Sequence, residues 1–152
     1  MTDPITFQSQ SPRFRLPFLF AAQAQKEFFV NEALARIDLL LHPAIEAERA
    51  DPPSSPQDGE AWLVGENATG AWSGMDGRLA GHVAGDWAFA DPADGMRIWD
   101  RDTAQWIVHI GTWQRISAPA DPSGGGTIDA EARAAIVNLI ETLRNAGIFS
   151  AS

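Results

Sequence analysis

Three histidines, six tryptophans and a scatter of acidic turn residues are what this sequence offers to chemistry, and their spacing decides which of it is usable. His42, His82 and His109 fall on three separate stretches with no ligand spacing between them, so no metal site is expected. His42 follows a helix and reads as its C-terminal cap, while His82 and His109 read as strand residues. Asp100, Asp102 and Thr103, in DRDT, begin like a calcium loop but lack its later Gly and Glu, which leaves a turn. Gly65 to Gly70, GENATG, has the glycine spacing of a phosphate loop, yet Ala71 and Trp72 stand where Lys and Ser/Thr would reach phosphate and magnesium. No Ser sits in the strained G-x-S-x-G turn of hydrolases, and no pair of carboxylates is singled out. Asn67-Ala68-Thr69 is a formal glycosylation sequon, which matters only in a secretory context. The expectation is therefore no catalytic residue, no metal, no cofactor and no enzyme.

The tryptophans are the remaining signal. All six lie between Trp62 and Trp113, against eight Phe and no Tyr in the chain. A small β domain fills its core with such rings, so most are expected inside. Trp72, in the Gly-rich turn Gly70-Ala71-Trp72-Ser73-Gly74, is the exception to test, because loops expose their side chains. An exposed indole there would stack on the apolar face of a pyranose, which makes a host surface polysaccharide the alternative partner.

Composition limits the partners. With 11 Lys plus Arg against 20 Asp plus Glu, the net charge is -9, which repels polyphosphate and anionic membrane surfaces and argues against nucleic acid. The absence of Cys removes disulfides, thiolate metal sites and Cys nucleophiles together. The apolar run Leu16 to Ala22 contains Pro17 and is cut by Gln23, Gln25, Lys26 and Glu27. It fits neither a signal peptide nor a spanning helix, so no leader and no membrane insertion are expected.

The elements that must position these residues follow from periodicity. Residues 1–20 carry Pro4, Pro12 and Pro17 and predict an extended arm, whose Phe7, Phe14, Phe18 and Phe20 need a surface to lie on. Ala21 to Leu41 predicts an amphipathic helix with Val30, Leu34, Ile37 and Leu41 at spacings of 4, 3 and 4, ended by Pro43. After the Pro/Ser-rich connector Asp51 to Gly59, short strands are expected at Ala61–Val64, Arg78–Val83, Asp86–Phe89, Met96–Trp99, Gln105–Ile110 and Trp113–Ile116. They form a small antiparallel meander, either a sandwich or a half-open barrel. A linker, Ala118 to Gly126, leads to a second helix at Asp129–Ala146, capped by Thr127 or Asp129 and closed by Gly147. Its Ala132, Ile136, Leu139, Leu143 and Ala146 repeat at 4, 3, 4, 3, a seven-residue period. The fold class is α+β, organised as arm and assembly helix over 1–50, a Trp-rich β domain over 60–117 and a C-terminal helix over 127–149. Short helices with such apolar stripes need cover. The first stripe (Val30, Leu34, Ile37, Leu41) and the core of the second (Ile136, Leu139, Leu143) are the candidate interface residues.

The stretches QAQKEFFVNEALARID, PPSSPQDGEAWLVGENATGAWSGMDGRLAGHVAGDWAF, DGMRIWD and DAEARAAIVNLIETLRNAGI together resemble a domain family of unknown function found in proteins of tailed phages, prophages and gene transfer agents. The resemblance runs from about Leu16 to Ile148. It implies a virion structural role in tail fibres, head spikes or their attachment bases, and supplies no catalytic residues. The partners it implies are sister copies, as a trimer, and other virion proteins at a capsid vertex or tail. The place it implies is the particle surface, after synthesis in the bacterial cytoplasm. Longer members carry distal modules beyond the final helix, where this sequence ends at Ser152.

Overall fold

The structure, a computed structural model, describes residues 10–19, 26–126 and 129–151. Phe7, Phe20 and the first expected turn of the N-terminal helix lie outside them, as does Thr127. Among the described residues the chain is α+β, with two helices and eight short strands. It divides into two compact units, Met1–Pro92 and Ala93–Ser152.

The first unit holds α1 (Lys26–Leu40), β1 (Ala44–Ile45), β2 (Glu48–Arg49), β3 (Ala61–Val64), a 3-10 turn at Gly70–Trp72, β4 (Leu79–Val83) and β5 (Asp86–Ala90). Its sheet runs β2-β3-β4-β5. β3, β4 and β5 pair antiparallel, but β2 runs parallel to β3, with Glu48 opposite Leu63 and Arg49 opposite Val64. A two-residue strand has no alternation to read, so the sequence predicts only the antiparallel part. All four residues of β3 are buried, because both faces of this sheet are covered. On one face Leu39 of α1 meets the backbone of β4, where a Cβ on Gly81 would lie 2.9 Å from Leu39 Cδ1. On the other, Trp62, Val64, Trp72 and Ala80 form an apolar cluster with Trp87 and Phe89 against it.

The described part of the expected arm, residues 10–19, lies on its own chain and is turned at 12–14 rather than extended, with Ser11 N–H bonded to the Leu16 carbonyl at 2.9 Å. Asp38, buried on α1, accepts Ser11 Oγ at 2.5 Å and the backbone N–H groups of Arg13 at 3.0 Å and Phe14 at 2.7 Å. Arg13 also donates its guanidinium to the carbonyls of Asp38, Leu39 and His42, each at 2.9 Å. The first two are among the carbonyls a helix end leaves unpaired and the third lies just beyond it, so Arg13 caps α1. His42 supplies a carbonyl to that cap and takes a left-handed backbone, φ 45°, before Pro43. Further along, Asn31 brackets Leu19, accepting from its N–H at 2.8 Å and donating to its carbonyl at 3.0 Å.

The second unit holds β6 (Arg97–Asp100), β7 (Gln105–Ile110), β8 (Thr112–Arg115) and α2 (Ala130–Asn145). The three strands form an antiparallel meander in which fully buried Ile98 and Ile107 face each other. β6 and β8 are each displaced by one residue from their expected spans, a shift within the ordinary uncertainty of strand ends. DRDT is the β6–β7 turn: buried Asp100 accepts from Asp102 N–H at 3.0 Å and pairs with Arg115 at 2.8 Å. Buried Gln105 donates to the carbonyls of Ile116 and Ile148 at 2.7 and 3.2 Å, tying the chain beyond β8 to the chain beyond α2.

α2 is legible at both ends. The Asp129 side chain accepts from Ala132 N–H at 2.9 Å, an N-cap. At the other end Ile148 N–H reaches Leu143 carbonyl and Gly147 N–H reaches Arg144 carbonyl, with Gly147 at φ 70°, the paired bonds of a Schellman ending. Gly147 has a second reason to be glycine. A Cβ there would lie 2.8 Å from Trp99 Cη2, and its carbonyl accepts Trp106 N–H at 2.7 Å.

Candidate assembly surfaces and aromatic clusters

On α1 the apolar stripe and the buried face are different sides of the helix. The buried residues are Ala35, Asp38 and Leu39, and Asp38 is 1% exposed. Val30, Ile37 and Leu41 of the stripe are exposed, Ile37 at 46%, and Leu34 lies between, half-buried. At 100° per residue Ile37 and Ala35 are separated by about 160° around the axis. The inward face is set by Leu39, which reaches the sheet at Gly81, and by the carboxylate that holds the arm.

α2 divides in the same way. Ile140 is 3% exposed, whereas its neighbour Leu139 is 58% exposed and Ile136 44%. Leu143 is half-buried, and Ala132 and Ala146 are exposed. From Ala130 to Leu139 every residue but Arg133 is exposed, so the first half of the helix stands away from its own body. Of the seven expected interface residues, then, five are exposed and Leu34 and Leu143 are half-covered.

Trp72 is not the exposed platform expected of a loop. It is 0% exposed, which removes the indole face that polysaccharide stacking requires. The loop folds inward: Thr69 N–H donates to Ala50 carbonyl at 2.9 Å, Trp72 N–H to Thr69 carbonyl at 3.0 Å, and Asp76 Oδ1 accepts Ala68 N–H at 2.8 Å. The Trp72 ring is delivered between Trp62 and Trp87, with centroids 6.1 and 5.0 Å away and tilted or edge-on contacts that aromatic rings favour. Its Nε1 is buried with no hydrogen-bond partner. An exposed indole occurs instead at Trp106, 40% exposed. Strand alternation carried that signal, since buried Gln105 and Ile107 put Trp106 on the opposite face.

The two strand histidines belong to a clasp built twice. In the first unit Asp58 Oδ1 lies 2.8 Å from His82 Nδ1, off hydrogen-bond alignment, and accepts Gly85 N–H at 3.3 Å. Trp87 meets the imidazole edge-on at 5.1 Å. In the second, Asp94 Oδ1 lies 2.9 Å from His109 Nδ1 and accepts Gly111 N–H at 2.8 Å, with Trp113 edge-on at 5.1 Å. The backbone repeats too. Gly59 N–H donates to His82 carbonyl and His82 N–H to Glu60 carbonyl; Gly95 N–H donates to His109 carbonyl and His109 N–H to Met96 carbonyl. Each Asp-Gly turn is thus tied to the tip of the hairpin beside it. The sequence signal is Asp-Gly before β3 and before β6, each answered by His, Gly and Trp across the next hairpin. The Gly111 N–H, then the His109 ring, hold the Asp94 carboxyl below its ordinary range. Each carboxylate is engaged by backbone and each imidazole lies against indole, which suits a structural tie rather than proton transfer.

Among the described residues no group of three His, Asp or Glu side chains could hold a metal ion, and no helix is long and apolar enough to cross a membrane. Comparison with curated proteins finds no match. Residues 30–114 match a family described as proteins of unknown function, DUF2793. That span takes in the outward stripe of α1, both sheets' hairpins and both clasps, and it exceeds half of the chain. The chain belongs to the DUF2793 family.

Proposed function

We propose that this protein is a structural component of a phage-like particle or gene transfer agent, forming or attaching a tail fibre or head spike and aiding adsorption to the host surface. The observation that carries the reading is the orientation of the two helices. Each turns a narrow inner side to its own unit and leaves an apolar stripe facing outward, Val30, Ile37 and Leu41 on one and Ile136 and Leu139 on the other. Exposed apolar side chains in helical register are the mark of a surface awaiting a protein partner. The resemblance of residues 16–148 to virion proteins supplies the setting, in which sister copies, as a trimer, and neighbouring particle proteins cover the stripes. A net charge of -9 makes nucleic acid a poor alternative partner.

The test is native mass by light scattering, together with the position of the chain in images of the intact particle. The expected mass is a multiple of 16.4 kDa, with the chain on the particle surface. A monomer that unfolds cooperatively and is absent from particles would overturn the reading.

A further inference from the structure

We infer that α2 is the seam between copies of this chain, packing through Ala132, Ile136, Leu139, Leu143 and Ala146 against the same residues of a second copy. The inference rests on the reading above and names which of the two exposed stripes is homotypic.

Four observations favour a second copy as the occupant. The first is the period. Spacings of 4, 3, 4 and 3 drift only about 20° per heptad around a straight helix, a drift that the mutual winding of sister helices removes, and such a line is complementary to itself. The second is separation from the chain's own contacts. Ile140 is buried and Gly147 lies against Trp99 and Trp106 of the second unit, while Ala132, Ile136, Leu139 and Ala146 stay exposed, so the seam need not strip the helix from its body.

The third is charge. Two copies of a chain at -9 repel wherever their acidic surfaces come within a Debye length, about 8 Å at physiological salt. α2 carries Glu131, Arg133, Glu141 and Arg144, two of each sign, so its sum is zero. Three of these charges are engaged within the chain: Arg144 pairs with Glu141 at 2.5 Å and Arg133 donates to the Gly124 carbonyl. The fourth is the flank. Ala135 and Thr142 stand beside the line in the position that often carries charge in such helices. One is small, and the other turns its hydroxyl back to Asn138 carbonyl at 2.8 Å, so on that flank a sister helix meets no ion, while Arg133 on the opposite flank is held by the Gly124 carbonyl.

The 16 residues of α2 span about 24 Å at 1.5 Å per residue, too short to hold a helical pair alone. Its C-terminal anchor to the second unit, through Trp106 N–H to the Gly147 carbonyl and Gln105 to the Ile148 carbonyl, supplies the rigidity that two heptads of seam lack.

The chain has no Cys, so single cysteines report on proximity cleanly. Ala132→Cys, on the seam, should give covalent dimers of the full chain under mild oxidation. Ala134→Cys, on the far side of the helix, should give about tenfold less, because a disulfide requires Cα atoms within about 7 Å. Leu139→Glu should bring the native mass to 16.4 kDa with Trp fluorescence unchanged, while Ala134→Glu leaves the mass as in the wild type. An oligomer that keeps its mass in Leu139→Glu and links equally through both cysteines would overturn the seam and leave the assembly role standing. A monomeric wild type would overturn the seam, and the assembly role falls with it if that monomer unfolds cooperatively and is absent from particles.

Discussion

The Ser11 hydroxyl donates to Asp38 Oδ1 at 2.5 Å, joining positions 27 residues apart. Through this contact a polar side chain in the last turn of a helix is held buried, 1% exposed. The same carboxylate collects the N–H groups of Arg13 and Phe14, so three donors of the turn at 11–14 converge on it.

Replacing Asp38 by Ala should therefore release the arm. Hydrogen bonds to a charged acceptor contribute about 1.5–3 kcal/mol each, and part is recovered when the donors meet water, so a loss of about 2–4 kcal/mol is expected. Trypsin should cut after Arg13 much faster in Asp38→Ala than in the wild type. Asp38→Asn should fall between them, since its amide keeps one acceptor and turns a donor toward another. Equal cleavage rates in wild type and Asp38→Ala would show that the carboxylate does not hold the arm.

Trp72 should behave as a core residue. Trp72→Ala is expected to destabilise by about 3–5 kcal/mol in urea unfolding, the usual range for deleting a buried aromatic ring. Trp72→Phe should cost less than volume alone suggests, because it removes a buried N–H without a partner, a group worth about 1–3 kcal/mol. A Trp72→Ala protein as stable as the wild type would place the ring outside the core.

The Asp94 clasp should respond to acid. Its folded carboxyl titrates below the ordinary value of 3.8, so its contribution is present above the unfolded value and is lost as pH falls through the lowered folded one. The Gly111 amide resonance, whose N–H donates to Asp94 Oδ1, should report this with a midpoint below 3.8. In Asp94→Asn that inflection should vanish. A midpoint at or above 3.8 in the wild type would mean that Gly111 and His109 do not hold the ionised form.

Local features were legible wherever neighbours in sequence settle them. The N-cap at Asp129, the left-handed Gly147 and the apolar Ile148 beyond it form a helix end whose partners all lie within five residues. The tight turns at Ala84-Gly85 and Asp100 to Thr103 were equally local. The two clasps were within reach, because Asp-Gly and His-Gly-Trp recur, but the matching Asp and Gly are 27 and 17 residues apart and recognising them requires knowing which hairpin faces which turn. β2 was out of reach, since two residues carry no period.

By itself the sequence determined the α+β class, the stripes on both helices, the positions of six of the eight described strands to within a residue, and the absence of Cys. All of these follow from periodicity and composition, which act over one or two turns of chain. Tertiary structure alone decided which side of each helix is inside. A stripe states only that a face is apolar; Leu39 meeting Gly81 and Asp38 gathering the arm turned α1 so that the stripe points outward. It also decided Trp72, where loop position argued for solvent and two facing indoles drew the ring in, because the area that three rings bury together outweighs the preference of a Gly-rich segment for the surface.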